Sequence, residues 1–190
     1  MESLLIAVIR ALLPLINKVH TAVLGIRPLE GSGIICVEVR RHRGRAVKLE
    51  DGCEVEPGDR VIKLHFNDAW INEKRRSSSG LGGRAFPRGF VSYSKEALQL
   101  LAGEVAGGKC GSIVAVYGWT AFYAHARRLG FQVVDLPDTP RIRMARLHVI
   151  ALMRSQSIPW FKRHASRESV QVKAVWLSRA ELLRIHGSVR

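Results

Sequence analysis

Hydrophobic and polar residues alternate over short stretches of the chain, and this pattern predicts several strands, most of them in its first third. Residues 34–43 place Val37 and Val39 on one side of an extended chain and Glu38 and Arg40 on the other, as in a strand with one buried face. Turn residues such as Asp51-Gly52 separate these stretches. The predicted strands cover residues 34–43, 46–50, 53–55, 61–66, 113–117, 131–136 and 170–176.

Elsewhere the hydrophobic residues recur every three or four positions, which predicts helices. The predicted helices cover residues 3–25, 95–106, 120–129, 141–154 and 179–186. Ser178, followed three residues later by Glu181, predicts a capping box at the start of the last helix. Because strands cluster early and then alternate with helices, we expect an α+β fold: a small mixed sheet, with a β-hairpin region near the N-terminus, packed by several helices.

The chain has 190 residues, of which 47% are hydrophobic, so it can bury a core and is not disordered as a whole. It has no internal repeat and no linker, and residues 1–190 are predicted to form a single domain. Residues 1–27 are predicted to contain an amphipathic helix, which either packs on the core or lies in a membrane interface. The polar, glycine-rich stretch 73–89 predicts a flexible loop.

Three cysteines, at positions 36, 53 and 110, are too few and too scattered for a disulfide framework. They indicate a reducing compartment, with Cys36 and Cys110 as buried or half-buried small residues. The chain has no cysteine pair with zinc-site spacing, no pair of histidines one helical turn apart and no phosphate-binding loop motif. We therefore expect no metal and no cofactor.

The net charge is +14, with 30 Lys and Arg against 16 Asp and Glu. Residues 139–167 hold seven Lys or Arg and no acid. Three interpretations of this block remain open. It binds nucleic acid, it contacts an anionic bilayer, or it reflects only the amino-acid composition of the source. The candidate membrane or anion surface comprises Arg141, Arg143, Arg146, Trp160, Phe161, Lys162 and Arg163.

His65 and Asn67 lie two positions apart at the end of a predicted strand, so their side chains are expected on one face. One interpretation is a ligand-binding or acid/base histidine with an asparagine that orients it. The structural alternative is a His65 ring packed on Trp70, with Asn67 forming a turn.

The segment from Arg43 to Asn67 resembles the core of the bacterial YkoP-like domain family. That family's recurrent string is a Gly followed by Val-x-Leu-x-Asp-Gly, then Gly-Asp-x-Val-x-x-Leu-His-x-x-Asn. Here Asn67 comes one position early, and Asp68 occupies the expected position. Two further segments are similar to strings of the family. Residues 128–133, Arg-Leu-Gly-Phe-Gln-Val, match its strand entry R-LGF-V, and residues 175–187 contain a match to its closing string SxxxLLxxYG, which begins here with Ser and ends in His-Gly.

The resemblance implies an accessory or ligand-binding domain in bacterial envelope polysaccharide or glycolipid metabolism, because such domains occur alone or beside polysaccharide deacetylase domains. The expected partner is then a polysaccharide deacetylase or another envelope-polysaccharide enzyme. The expected location is the cytoplasm, and it is the inner face of the membrane if the basic surface binds lipid. The predicted ligand-binding residues are His65, Asn67, Asp68, Arg43 and Arg45. An enzyme that acts on an anionic or lipid-linked sugar, with His65 as acid/base, is the first alternative, and a nucleic-acid-binding protein is the second.

Overall fold

The computed structural model describes residues 25–78, 85–140, 142–144, 147 and 171–187. The predicted N-terminal helix and most of the helix predicted at 141–154 lie outside these residues. Residues 142–144 and 147, inside that second prediction, are helical.

Six strands form one mixed sheet, and two short strands form a separate hairpin. In chain order the strands are β1 (Arg27–Pro28), β2 (Ile35–Arg41), β3 (Val47–Lys48), β4 (Glu54–Val55), β5 (Arg60–Phe66), β6 (Ala115–Thr120), β7 (Gln132–Val134) and β8 (Lys173–Ser178). The large sheet has the order β1-β2-β5-β6-β8-β7, and β3 pairs with β4. Neighbours are antiparallel except for β5 and β6, which are parallel.

Four helices with full bounds accompany the strands: α1 (Asp68–Ser78), α2 (Ala85–Ala106), α3 (Tyr123–Arg128) and α4 (Arg179–His186). The parallel pair β5 and β6 needs a long crossover connection, and α1 and α2 lie within it. The predicted fold class, a mixed sheet with an N-terminal hairpin region packed by helices, is confirmed.

The two faces of the sheet are covered differently. On one face, Val37, Ile62 and Val116 pack with Leu101 of α2 and Leu182 of α4 in the main core. On the other face, the β3–β4 hairpin covers only part of the sheet. Its residues Leu49 and Val55 form a second core with Val61, Ala115, Tyr117, Ala174 and Trp176. The part of this second face formed by β2 and the end of β5 carries polar side chains.

Turn residues of the hairpin region also fix its position on the sheet. Gly52 and Gly58 have φ angles of +84° and +99°, which only glycine adopts without strain. The Asp59 carboxylate accepts a hydrogen bond from the Glu56 amide at 2.8 Å. The Asp51 carboxylate contacts the Ser178 hydroxyl, which itself accepts a hydrogen bond from the Glu181 amide at 3.0 Å. The Ser178 half of the predicted capping box is therefore confirmed, and this cap also anchors the hairpin. The Glu181 carboxylate, which would complete the box, binds Arg184 instead.

The flexible loop predicted at residues 73–89 is wrong for 73–78 and 85–89, which are helical. Asn67 caps α1, since its side-chain oxygen accepts a hydrogen bond from the Trp70 amide at 3.3 Å. Ile71 is only 7% exposed and anchors α1 on the core. Residues 73–78, whose polar side chains suggested a loop, come directly after Asn67 and Ile71 in the chain. Because Glu, Lys and Arg have high helix propensity, these residues continue the helix that Asn67 starts.

His186 closes the C-terminal helix from a buried position. Its Nε2 atom lies 2.9 Å from the Leu129 carbonyl oxygen, while its Nδ1 atom is buried and has no hydrogen-bond partner in the described part of the chain. Burial lowers the pKa of His186, although the hydrogen bond to Leu129 works in the opposite direction. Folding therefore favours the neutral form of the His186 ring.

Because the pKa of His186 is lower in the folded than in the unfolded chain, its contribution to stability is complete above pH 6.5 and decreases as the pH falls below it. We expect the free energy of unfolding of the wild type to fall more steeply below pH 6.5 than that of His186→Gln. The slope difference is at most about 1.4 kcal/mol per pH unit. Urea unfolding at pH 5 to 8 measures it, and two parallel curves would contradict this role of burial.

Candidate functional site

A buried carboxylate organises the polar part of the second sheet face. Glu38 in the middle of β2 is only 3% exposed. One of its oxygens, Oε1, lies 3.0 Å from Arg40 Nη1, and the other, Oε2, lies 3.0 Å from His65 Nε2. We call Glu38, Arg40, Lys63 and His65 the Glu38 cluster.

The strand register explains why these residues meet. In the antiparallel pair of β2 and β5, Glu38 lies opposite Lys63, and Cys36 lies opposite His65. Directly opposed residues share a face, and so do residues two apart on one strand. His65 is therefore the diagonal neighbour of Glu38, within reach of a long side chain.

Aromatic side chains border the cluster on β6 and β8. The Lys63 ammonium lies 5.3 Å from the centre of the Trp119 ring, which is the geometry of a cation–π contact. Beyond it, Tyr117 stacks on Trp176 with ring centres 4.5 Å apart. The site thus combines charged groups with an aromatic wall.

The charges in the cluster do not cancel. Arg40 and Lys63 carry two positive charges against the single charge of Glu38, and His65 adds a third when protonated. An ionised carboxylate only accepts hydrogen bonds, so the Nε2 atom of His65 carries the proton toward Glu38. The side chains of Arg40 and His65 are 22% and 21% exposed. The almost completely buried Glu38 carboxylate thus fixes the side chains of Arg40 and His65, and both of these hydrogen-bond donors remain partly exposed.

The other residues predicted around His65 have different roles in the structure. Asn67 uses its side chain to cap α1, and Asp68 is the first residue of that helix. Trp70 packs against Tyr93, with ring centres 5.1 Å apart, and lies partly buried against the main core. Of the structural alternative, the local role of Asn67 is confirmed. The ring of His65, however, contacts Glu38 on the second face, whereas Trp70 packs on the main core at the opposite face.

The structure separates Arg43 and Arg45 from His65. Both are exposed and follow β2, whose last residue, Arg41, pairs with Arg60. His65 pairs with Cys36 at the other end, five residues away, which corresponds to about 17 Å along the strand. The Arg45 carbonyl oxygen lies 2.8 Å from His42 Nε2. The predicted ligand-binding set is thus not one site.

Glu38, Arg40 and Lys63 are the residues of the site that the sequence interpretation missed. Glu38 and Arg40 lie on the polar side of the predicted strand 34–43. Their spacing, a glutamate and an arginine two positions apart in a strand, was a signal for a pair on one face. Their link to His65 depends on the register of β2 and β5.

Most of the candidate membrane surface lies outside the described residues: Arg141, Arg146, Trp160, Phe161, Lys162 and Arg163. Arg143 is exposed and forms a two-point ion pair with Asp138, at 2.8 and 3.1 Å. The acid-free block therefore has an acidic partner just before it. Met144 and Leu147 are also exposed, by 66% and 49%.

A second charged group lies on the helix side of the sheet. Arg27 contacts the Glu104 carboxylate at 2.5 and 3.3 Å, and this pairing raises the pKa of Arg27. The Cys110 thiol lies 3.7 Å from Glu104, and burial, followed by that carboxylate, raises its pKa. Glu104 is 8% exposed and Arg27 is 42% exposed, so this group is an ion pair at the edge of the core.

Among the described residues, no His, Cys, Asp or Glu side chains gather in threes with the placement that a metal ion needs. No helix in the described part of the chain is both long and apolar enough to cross a membrane.

The structure thus combines a mixed sheet, a hairpin on one of its faces and the charged Glu38 cluster on the same face. Residues 7–186 match the family model described as the YkoP domain, and the chain belongs to this family. No curated protein and no solved structure matches the chain.

Proposed function

We propose that this protein is a ligand-binding accessory domain in bacterial envelope polysaccharide or glycolipid metabolism, and that the Glu38 cluster binds an anionic sugar. The observation that carries the proposal is the buried Glu38 carboxylate, which holds Arg40 and His65 at 3.0 Å each on one sheet face.

The chemistry of the cluster suits a sugar acid. A guanidinium, an ammonium and an imidazole offer charge-assisted hydrogen bonds to a carboxylate. The Trp119 ring supplies a flat apolar surface beside them, against which the C–H face of a sugar ring packs. Glu38 fixes the donors in advance, which reduces the entropy that binding would otherwise cost.

The proposal also includes a partner protein and a location in the cell. An envelope-polysaccharide enzyme, such as a polysaccharide deacetylase, is the proposed partner, at the cytoplasmic face of the membrane. The exposed side chains of Met144 and Leu147 beside Arg143 support contact with a membrane surface.

Titration calorimetry with two tetrasaccharides tests the binding proposal. A hyaluronan tetrasaccharide carries carboxylates, whereas chitotetraose is neutral and of similar size. We expect the anionic sugar to bind at least tenfold more tightly. Arg40→Gln and His65→Gln should each weaken its binding by tenfold or more, about 1.4 kcal/mol. His65→Ala should do the same while lowering the free energy of unfolding by less than about 2 kcal/mol.

The matched control is the double substitution of Arg43 and Arg45 by Gln. It removes two exposed positive charges that follow the end of β2 farthest from His65, about 17 Å away along the strand. It should leave affinity within twofold of the wild type. Equal binding of both sugars, or an equal loss in the control, would contradict a site at the Glu38 cluster. Tighter binding of a single-stranded oligonucleotide, with steep salt dependence, would favour the nucleic-acid alternative.

The contact between Glu38 and His65 also favours a second function, acid/base catalysis on an anionic sugar. A carboxylate that holds one ring nitrogen orients the imidazole for proton transfer at the other. Cleavage of the tetrasaccharide by the wild type and not by His65→Gln would select this function over binding alone.

A further inference from the structure

Cys36 lies on the same sheet face as the Glu38 cluster and directly opposite His65. Two flanking pairs of the same ladder are hydrogen-bonded: the Asn67 amide donates to the Ile34 carbonyl, and the His42 amide donates to the Asp59 carbonyl, at 2.9 and 2.7 Å. Since hydrogen-bonded pairs alternate along an antiparallel ladder, Cys36 and His65 also form such a pair. Their Cβ atoms are then about 5.5 Å apart on one face.

A thiol, an imidazole and a carboxylate therefore follow one another on this face. The carboxylate of Glu38 contacts the ring of His65, and the ring is the cross-strand neighbour of the Cys36 thiol. This is the order of groups in enzymes that activate a cysteine through a histidine oriented by a third residue. We propose that Cys36 is the nucleophile of this cluster and accepts an acyl group from an ester, with His65 as its base and Glu38 as the positioning residue.

The surroundings of the three cysteines distinguish Cys36 from the other two. Burial and the nearby carboxylate of Asp51 raise the pKa of Cys53. Burial and Glu104 raise the pKa of Cys110. Cys36 is half-buried and faces cations as well as an acid. The titratable side chains that share its sheet face on neighbouring strands are Glu38, Arg40, Lys63, His65 and Tyr117, while Pro28 of β1 lies opposite it on the other side. Reactive thiols occupy partly exposed sites of this positive kind.

The step balances without a further reagent. His65 Nδ1 accepts the thiol proton as the Cys36 sulfur attacks the carbonyl carbon of the ester, and a C–S bond forms. The C–O bond to the leaving alcohol then breaks, and the alcohol oxygen takes the proton back from His65. The product is a thioester on Cys36, which water or a second hydroxyl group cleaves to restore the thiol. O-acylated sugars and acyl lipids belong to the class of esters that this chemistry takes.

The test measures where and how fast small electrophiles react with the whole chain. Limited iodoacetamide at pH 7, followed by peptide mass spectrometry, should label Cys36 at least tenfold faster than Cys53. With p-nitrophenyl acetate, we expect an acetyl group on Cys36 and a matching burst of p-nitrophenolate. His65→Gln and Glu38→Gln should slow the labelling of Cys36 by tenfold or more at pH 7 and move the midpoint of its pH profile upward. Cys53→Ser should leave the rate at Cys36 unchanged.

Buried Cys110 reports unfolding within the same experiment, because its labelling rises only when the fold opens. A variant is scored at the pH values at which Cys110 stays unlabelled, so a loss of folding is not mistaken for a loss of reactivity. The inference is overturned if Cys36 reacts no faster than Cys53, or if His65→Gln leaves its rate unchanged. The labelling test is independent of sugar binding. If Cys36 of the wild type is not reactive but the Cys36→Ser variant still binds the hyaluronan tetrasaccharide, the nucleophile inference fails and the proposed binding function remains.

Discussion

Replacement of Glu38 by alanine should lower the free energy of unfolding by about 2 to 3 kcal/mol at pH 7. Its carboxylate is almost completely buried and neutralises Arg40 while accepting a hydrogen bond from His65. Removing one member of a fully buried charge pair costs about 3 to 5 kcal/mol, since the remaining charge stays desolvated. Arg40 and His65 are about a fifth exposed, so water compensates part of this loss. Urea unfolding measures the change.

A smaller loss of about 1 kcal/mol is expected for Glu38→Gln, because the amide keeps the volume and one acceptor. The matched control is Glu54→Ala, which breaks a pair between Lys48 and Glu54 at 3.3 Å with both side chains more than half exposed. Such a pair contributes at most about 1 kcal/mol. If Glu38→Ala and Glu54→Ala destabilise the protein equally, Glu38 is not the centre of the cluster.

The features that the sequence predicted well are determined by neighbouring residues. The cap at Ser178 and the turn at Asp51-Gly52 each involve residues within a few positions, and the alternation of residues 34–43 lies within one strand. The fold class followed from the order of such local elements. Helix α1 was missed although its cap is also local, because Asn67 was interpreted as a ligand-binding or turn residue and the polar stretch from residue 73 as a loop.

The candidate site was predicted only in part, because it depends on contacts between distant residues. His65 was identified, but its partner Glu38 lies 27 positions earlier, and only the pairing of β2 with β5 brings them together. The same register places Arg43 and Arg45 at the far end of these strands. Proximity along the chain had suggested the opposite, because a hairpin region joins Arg45 to His65.

The close approach of Gly33 to Trp70 also could not be read from the sequence, where Gly33 is simply one residue of a turn. A Cβ atom at position 33 would lie 2.0 Å from Trp70 Nε1 and 2.3 Å from Trp70 Cδ1. Trp70 lies in the first turn of α1, the helix that comes after β5 in the chain. The ring of Trp70 packs on Tyr93. Gly33 thus allows α1 to lie against the start of β2.

Gly33→Ala should therefore lower the free energy of unfolding by about 2 to 3 kcal/mol. This is the upper part of the cost of about 1 to 3 kcal/mol for added methyl groups in a packed core, because the Trp70 ring must move. The matched control is Gly103→Ala in the interior of α2, where a new Cβ atom meets nothing within 4 Å. Because alanine favours helix over glycine, this control should raise the free energy of unfolding by about 0.5 to 1 kcal/mol. Combining Gly33→Ala with Trp70→Leu should recover part of the loss, since the smaller side chain leaves room for the methyl group. Thermal and urea unfolding of Gly33→Ala, Gly103→Ala, Trp70→Leu and the double variant measures these changes in the free energy of unfolding. A neutral Gly33→Ala, or a double variant less stable than the sum of its parts, would show that the Trp70 ring does not lie against Gly33.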